Sequence, residues 1–155
     1  MTRRSRAREI VLQMLYQDDL NPKVHTSAGE DFVRRRLRTT EMVEFARGLL
    51  AGVRRHRPHI DKLIQDTAAN WTLTRMAVVD RNVLRLGAYE VLYSETPARV
   101  ALNEALELAK RYGTGHSAAF VNGILDKLLQ KRGSDAADGR TTPPESAPPL
   151  ASPSS

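Results

Sequence analysis

The residues best suited to chemistry in this sequence are arginines that accompany a tyrosine, and together they favour binding over catalysis. Arg4, Arg6 and Arg8 open an amphipathic segment that also carries Tyr16. A helical wheel places Tyr16 nearly opposite the apolar stripe, on the side that carries Arg8. Arginines neutralise phosphates and an exposed aromatic ring stacks on an unpaired base, so this face could bind a single-stranded nucleic acid. Position alone leaves open the alternative that Tyr16 packs against a neighbouring helix or loop.

Two later helices are predicted to begin near further polar and aromatic residues. These are Asp80, Arg81 and Arg85 in the central helix, and Tyr112, His116 and Ser117 around the start of the last helix. Helix N-termini present free N–H groups, which suit phosphates. If these ends converge on the start of the first helix, they form one surface of arginines and aromatic rings able to bind single-stranded RNA.

None of the compact catalytic or cofactor-binding motifs occurs in the sequence. It has no P-loop, no GxSxG elbow, no HExxH and no strand-linked glycine fingerprint. The absence of cysteine excludes disulfides, thiolate metal sites and a cysteine nucleophile. His56 and His59 lack a third ligand at suitable spacing, and Gly113 and Gly115 fit a helix C-cap better than a phosphate cradle. We therefore expect a protein that is not an enzyme and that uses no cofactor and no metal.

The charge of the chain is consistent with a polyanionic partner. The formal net charge is +6 and the isoelectric point is about 10.1. The residues after Gly133 carry a net −2, so the body before them holds about +8. Surfaces this basic commonly bind nucleic acid or anionic lipid, although an arginine-rich composition alone can give the same value. The charged N-terminus lacks the apolar segment of a signal peptide, which predicts a cytoplasmic protein.

The apolar periodicity predicts an all-α protein of about seven helices. No segment from Thr2 to Arg132 sustains the two-residue alternation of strands. The central helix, Val78–Tyr93, is apolar on most sides, as expected of a helix packed by several neighbours, and its four charges argue against a membrane span. The other helices are predicted to run to Asn21, over 32–38, over 41–56, from Pro58 onward, from Pro97 with Thr96 as N-cap to Tyr112, and from 116 or 117 to Arg132.

Three local expectations concern how these helices are held together. The cluster Arg54–Arg57 ends the helix over 41–56, where cations complement the carbonyl end of the helix dipole, and this solvated cap is favoured over RNA binding. Trp71 is expected to anchor the following link in the core. Glu90 lies on the same line of the central helix as Val83 and Leu86, so we expect it to have a buried partner such as an arginine from another helix.

Residues 133–155 differ in composition from the rest of the chain. They are mainly Pro, Ser and Ala, with scarcely any bulky apolar residue. Such a segment cannot bury enough surface to offset the entropy of ordering it. We therefore predict one helical domain over 1–132, followed by a disordered tail over 133–155.

Five segments, taken in order, resemble the NusB family of bacterial transcription antitermination factors. They are AREIVLQMLYQ, LLAGV, VVDRNVLRLGAYEV, ALNEALELAKRYG and FVNGILDKLL. The resemblance covers about Arg3 to Leu129 and is strongest from Asp80 to Lys127. The arginine clusters over 34–38 and 54–57 and the Pro-rich tail are not part of the family pattern.

The resemblance implies a NusB-like fold of two packed helical subdomains, roughly the first three helices and the remainder. It also implies a non-enzymatic function, in which the protein binds the boxA sequence of nascent RNA together with the ribosomal protein NusE. RNA polymerase then transcribes through terminators, notably in ribosomal RNA operons.

The resemblance also implies a set of RNA-binding residues. His116 stands where some members have an acidic residue, Tyr112 where some have Phe, and Phe120 also begins the core stripe of the last helix. The residues carried over from the family pattern are Arg4, Arg6, Arg8, Tyr16, Asp80, Arg81, Arg85, Tyr112 and Phe120, and the start of the last helix adds His116 and Ser117.

Two alternative functions belong to other classes. NusB-like domains also precede the catalytic domains of RNA methyltransferases, so the chain could be the RNA-binding module of an rRNA methyltransferase. In this sequence no cofactor-binding αβ segment or catalytic cysteine follows Arg132, which argues against that alternative. The other alternative is a helical protein-interaction module whose basic surface is incidental, and binding of NusE without RNA would favour it.

Overall fold

The computed structural model describes residues 2–22 and 27–137, which form six α-helices and one short 3-10 turn. No strand occurs in these ranges, so the predicted all-α class is confirmed. No helix among them is long and apolar enough to cross a membrane. The helices are α1 (Arg3–Leu20), α2 (Ser27–Arg36), α3 (Thr40–Thr67), α4 (Val78–Tyr93), α5 (Ala98–Tyr112) and α6 (Ser117–Ala137), and the 3-10 turn is Leu73–Arg75.

Helix α1 follows directly from its sequence. The side chain of Thr2 accepts a hydrogen bond from the backbone N–H of Ser5 at 3.0 Å, which caps the first turn. The helix ends at Leu20, just before Asn21 and Pro22, as predicted. Its buried apolar residues recur at helical spacing and form the face that packs on α3 and α4: Ala7, Ile10, Val11, Met14 and Leu15.

Helix α3 is a single helix, so the prediction that a separate helix begins at Pro58 is wrong. Proline inside a helix removes a backbone hydrogen bond and costs about 3 kcal/mol. Here Val53, Ile60 and Ile64 are each fully buried and continue one apolar stripe across the proline. Burial of this stripe exceeds that cost, because each such side chain contributes roughly 1.5–3 kcal/mol.

Helix α4 is the packing centre of the molecule, as its sequence predicted. It contacts α1, α3, α5 and α6. A Cβ atom at Gly87 would lie 2.7 Å from Leu125 of α6 and 3.2 Å from Ala105 of α5, so glycine permits the close approach of three helices. Five apolar side chains of α4 are at most 1% exposed: Val83, Leu84, Leu86, Ala88 and Val91.

The helices of the described ranges form two groups, α1–α3 and α4–α6, which share one continuous hydrophobic core. Some predicted boundaries differ from the observed ones. Helix α2 begins earlier than predicted and ends at Arg36. Helix α6 continues past Arg132 to Ala137, and the rest of the predicted tail, 138–155, lies outside the described residues.

Candidate nucleic-acid interface

The side chains of Arg8 and Glu90 form a buried ion pair between α1 and α4. Nε of Arg8 donates to Oε1 of Glu90 at 2.7 Å and Nη2 donates to Oε2 at 2.8 Å, and the two side chains are 3% and 1% exposed. The hydroxyl of Thr96 donates to the same carboxylate at 3.0 Å. The predicted arginine partner of Glu90 is therefore confirmed. The guanidinium of Arg8, one of the predicted RNA-binding residues, is buried against Glu90 and does not lie on the surface.

This ion pair also explains why Thr96 does not cap α5. Thr96 was expected to be the N-cap, but Pro97 occupies that position and no side chain caps the helix. The hydroxyl of Thr96 instead completes the hydrogen bonding of the buried Glu90 carboxylate. The hydroxyl thereby satisfies a further acceptor site of a carboxylate that is shielded from water.

A second ionic cluster surrounds Asp19 at the end of α1. Its carboxylate accepts hydrogen bonds from Arg57 at 2.9 Å, Arg81 at 3.0 Å, Asn82 at 2.8 Å and Arg85 at 3.1 Å. Arg85, another of the predicted RNA-binding residues, is 4% exposed and lies inside the cluster rather than on the surface. Arg81 is more accessible but is held by the same carboxylate. This cluster therefore joins α1, α3 and α4.

Opposing effects set the pKa of Asp19. Burial raises it, but the hydrogen bonds from Asn82 and Arg81 and the charges of Arg85 and Arg81 lower it more. The net result is a pKa of about 2, against 3.8 for a free carboxyl group. Asp19 is therefore ionised throughout the neutral range and keeps its three arginines in place.

The cluster Arg54–Arg57 is not the solvated helix cap that was predicted. The helix continues beyond it, and two of its arginines point towards the acidic end of α1. Arg54 donates to both carboxylate oxygens of Asp18 at 2.8 Å, and Arg57 donates to Asp19. The two aspartates consecutive in the sequence, Asp18 and Asp19, thus neutralise two arginines on the facing turns of α3.

Tyr16 and Tyr112 come together at one groove between α1, α4 and α5. Tyr16 is 37% exposed and Tyr112 is 45% exposed, so both rings reach solvent. We call this feature the tyrosine groove; it has a volume of about 230 Å³ and is lined by Glu9, Leu12, Gln13, Tyr16, Val79, Asn82 and Tyr112. The end of α5 and the first turn of α4 thus meet the exposed face of α1. The alternative that Tyr16 packs against a neighbouring helix or loop holds only in part, because more than a third of the residue remains accessible to solvent.

A carboxylate organises the positive charge beside the tyrosine groove. Glu9 accepts from Arg111 at 2.6 Å and from Arg6 at 3.1 Å. Burial and the Glu9 carboxylate both raise the pKa of Tyr112, so its hydroxyl keeps its proton at neutral pH. Sequence reasoning missed Arg111, although its position next to Tyr112 repeats the arginine–tyrosine combination of α1. Two arginines share one carboxylate here, which leaves a net positive charge and unused N–H donors.

The residues that open α6 have different environments. Ser117 is 1% exposed, and its hydroxyl oxygen accepts from the backbone N–H of Thr114 at 2.9 Å. Ser117, which was predicted to bind RNA, is buried and closes the turn after α5. His116, its neighbour, is exposed. A Cβ atom at Gly113 would lie 2.3 Å from the Ser117 hydroxyl oxygen, so this turn requires glycine.

Trp71 is not the core anchor that was predicted. It is 50% exposed, and its ring meets Phe120 of α6 edge-on, with the ring centroids 6.1 Å apart. Phe120 is half-buried and packs against the core with its other side. The pair places a second accessible aromatic surface next to α6, and Trp71 is a candidate binding residue that sequence reasoning assigned to the interior.

The remaining predicted site residues lie at the ends of α1 and α4. The guanidinium of Arg4 is exposed and lies 4.7 Å from the centre of the Phe45 ring, which is within range of a cation–π contact. Asp80 is in the first turn of α4, where a negative charge complements the helix dipole. Its Oδ1 atom is buried and has no hydrogen-bond partner among the described residues.

The fold and the site define a small all-α binding protein. Within 2–22 and 27–137 no group of three or more His, Asp or Glu side chains is placed to hold a metal ion. Arginines and tyrosines, rather than a catalytic cluster, surround its tyrosine groove.

A sequence model of the NusB family matches residues 5–130, and the chain belongs to that family. It is therefore a transcription antitermination factor and not an enzyme. The transcription antitermination protein NusB of Anaeromyxobacter dehalogenans strain 2CP-1 is 47% identical over 132 residues, which cover 82% of this chain and 90% of that protein. The corresponding protein of Myxococcus xanthus strain DK1622 is 43% identical over 133 residues, covering 83% and 95%.

Solved structures have the same fold. T. maritima NusB superposes with a TM-score of 0.75 at 38% identity, covering 84% of this chain and 92% of that one. A crystal structure of the antitermination factors NusB and NusE in complex with dsRNA contains a chain that superposes with a TM-score of 0.76 at 26% identity, covering 84% and 98%. These similarities confirm the NusB-like fold that the sequence predicted.

Proposed function

We propose that this protein binds boxA-type single-stranded nascent RNA together with the ribosomal protein NusE, and that the complex promotes read-through by RNA polymerase, notably in ribosomal RNA operons. The observation that carries the proposal is the tyrosine groove. Two accessible rings from different helices, Tyr16 and Tyr112, line one concave surface beside Arg6 and Arg111. Unpaired bases stack on such rings, and each stack contributes roughly 1–3 kcal/mol.

A single strand suits this surface better than a duplex. In a double helix the base faces are stacked on one another and are unavailable to a side chain, whereas a single strand can present them. Arg6 and Arg111 share one carboxylate, so each retains N–H donors for a phosphate. Arg4 and His116 are exposed near the starts of α1 and α6 and add basic groups on two sides.

The direct contacts are then fewer than the sequence suggested. We assign them to Arg4, Arg6, Tyr16, Tyr112, His116 and Phe120, and add Arg111 and Trp71. Asp80 and Arg81 lie in the first turn of α4, next to Val79 of the tyrosine groove, and contribute at its edge. The site depends indirectly on Arg8, Arg85 and Ser117. These buried residues hold in place the helices that carry the site.

The proposal of NusE as a partner is supported by family membership and by the solved complex of NusB and NusE with dsRNA, whose NusB-like chain shares this fold. Action on nascent RNA in a complex with RNA polymerase, and hence a cytoplasmic location, follows from the antitermination role.

The test is a fluorescence-anisotropy titration of a labelled boxA-like strand, a scrambled strand of equal composition and the duplex of the boxA-like strand. We expect the boxA-like single strand to bind most tightly, NusE to strengthen that binding, and added salt to weaken it as phosphate contacts are screened. Equal affinity for the boxA-like and scrambled strands, both with and without NusE, would contradict the proposal.

A further inference from the structure

A second groove lies where the start of α1 meets the connection between α2 and α3. We call it the basic groove; it has a volume of about 480 Å³ and is lined by Thr2, Arg3, Arg6, Arg36, Leu37, Arg38, Thr39 and Met42. Four of these residues are arginines. Two of them, Arg36 and Arg38, belong to the cluster over 34–38 that has no counterpart in the family pattern.

Three of the four arginines of the basic groove are poorly neutralised by the protein itself, and the fourth, Arg6, pairs with Glu9. Arg36 and Arg38 are exposed, and neither forms an ion pair with any carboxylate in the described ranges. Arg3 pairs only with Glu41, at 3.7 Å, and both side chains are about two-thirds exposed. An exposed pair of this kind contributes little and leaves Arg3 free to bind another anion.

The side chain of Arg36 is nevertheless positioned. Its guanidinium lies 4.7 Å from the centre of the Phe32 ring, one turn earlier on α2. A ring beneath the guanidinium limits its orientations and leaves its N–H edges free. The planar N–H fork of arginine matches two oxygens of a phosphate, so an oriented and unpaired arginine suits that ligand.

The cluster Arg54–Arg57 gives a contrast with Arg36 and Arg38 of the basic groove. Arg54 and Arg57 face Asp18 and Asp19 and are paired with them. In the part of the chain that the structure describes, no aspartate or glutamate lines the basic groove. Like charges held together without a counter-ion repel one another, and a polyanion that binds there removes the repulsion.

The basic groove is continuous with the tyrosine groove through one residue. Arg6 lines the basic groove, and its guanidinium donates to Glu9, which lines the tyrosine groove. Both grooves run along α1, in which Arg3 and Tyr16 are about 20 Å apart at roughly 1.5 Å of rise per residue. A strand that binds at the tyrosine groove can therefore reach the basic groove if it extends by that distance.

We propose that the basic groove binds the sugar–phosphate backbone of the RNA that flanks the segment held at the tyrosine groove. This inference rests on the proposed function, since it assigns a second part of the same RNA. The contacts are to phosphates, so they add affinity and carry no sequence preference. The flanking RNA is single-stranded and continuous with the boxA-like segment.

The experiment compares three RNAs: the boxA-like core alone, and the core extended with uridines at its 5′ end or at its 3′ end by enough to span about 20 Å. Each is titrated into the wild type, into R36A/R38A, and into the matched control R34A/R35A. The control removes the same charge from exposed positions of α2 that do not line the groove. Circular dichroism and thermal unfolding verify that all three proteins are folded to the same extent.

We expect one of the two extensions to tighten binding to the wild type and to R34A/R35A. R36A/R38A should lose that gain while it binds the core RNA as the wild type does. Two single-strand phosphate contacts steepen the salt dependence of log K by about 1.4, so the advantage of the extended RNA should fall roughly sevenfold between 50 and 200 mM salt. In R36A/R38A the extended and core RNAs should have the same salt slope.

Two results would overturn the inference and leave the proposed function standing. The first is that neither extended RNA binds more tightly than the core RNA. The second is that R34A/R35A and R36A/R38A lose the gain in affinity from the extension to the same extent. Failure of the wild type to bind the core RNA, with or without NusE, would overturn the proposed function itself and this inference with it.

Discussion

Two sets of arginines in this protein differ in their exposure to solvent and in whether a carboxylate pairs with them. The inner set is Arg8, Arg54, Arg57, Arg81 and Arg85, whose guanidinium groups are paired with carboxylates and join α1, α3 and α4. The outer set is Arg4, Arg34, Arg35, Arg36, Arg38 and Arg55, which are exposed and form no ion pair with any carboxylate of the described residues.

The difference shows that an arginine enclosed with a carboxylate between helices stabilises the fold, whereas an exposed arginine is available for binding. Arg4 and Arg8 are one helical turn apart in α1, yet Arg8 is buried against Glu90 of α4 and Arg4 is exposed. Removal of an inner arginine takes a partner from a buried or partly buried carboxylate. Removal of an outer arginine leaves the fold unchanged and lowers only the affinity of the surface for its ligand. Substitutions in the two sets should therefore have separable effects on stability and on binding.

The largest expected effect is on the inner set. Arg8→Ala should lower the free energy of unfolding by about 3–5 kcal/mol, because it leaves the Glu90 carboxylate buried and unpaired. Urea denaturation measures the change. Arg4→Ala is the matched control from the outer set, and its effect should lie within roughly 0.5 kcal/mol of zero. Equal changes in the free energy of unfolding for the two substitutions would contradict the distinction between the inner and outer sets.

The Asp19 cluster should give a smaller effect that depends on pH. The pKa of Asp19 is about 2 in the folded protein, against 3.8 for the free group, so its ionised form favours folding. That contribution to the free energy of unfolding is complete above about pH 4 and is lost as the pH falls towards 2. Its size is on the order of 2 kcal/mol, because a tenfold change in an acid dissociation constant corresponds to roughly 1.4 kcal/mol.

Comparison of the wild type with Asp19→Asn isolates this contribution. The unfolding free energy of the wild type should exceed that of the variant at pH 7, and the difference should shrink as the pH falls below about 4. A difference that is constant from pH 7 to pH 2 would show that the charge of Asp19 does not hold the cluster.

The smallest effect concerns Arg55 of the outer set. Burial lowers the pKa of His56, and the charges of Arg55 and His59 lower it further. Arg55→Ala should therefore raise the pKa of His56, which stays below its ordinary value because the burial remains. An NMR titration of the imidazole measures the change in pKa. The unfolding free energy should change by less than about 0.5 kcal/mol, and a larger change would place Arg55 with the inner set.

The fold was largely predictable because its signals are local. Apolar residues at helical spacing predicted α1, α4, α5, α6 and both halves of α3, and the all-round apolar character of α4 predicted its central position. The errors arose where a distant contact overrides a local rule. Pro58 is accommodated by the apolar stripe of α3, and the hydroxyl of Thr96 serves Glu90 instead of the helix end.

The site was predictable in residue type more than in position. Tyr16 was found from its place on the arginine-bearing face of its helix, since an aromatic ring on a polar face is visible in sequence. Tyr112 was found from its position just before the last helix and from the family resemblance. Arg8 and Arg85 were wrongly placed at the surface, because the acids that bury them lie far away in the chain. The same long-range geometry concealed the basic groove, which Arg36 and Arg38 form only once α2 packs beside the start of α1.

The central claim is that the tyrosine groove binds RNA, and titration of a boxA-like single strand into Tyr16→Ala tests it most directly. Loss of one stacked base should weaken binding by roughly 1–3 kcal/mol, and Tyr16→Phe, which keeps the stacking face, should bind nearly as the wild type does. The unfolding free energies of the three proteins should agree closely, since Tyr16 is more than a third exposed. Wild-type affinity in a fully folded Tyr16→Ala would contradict the account.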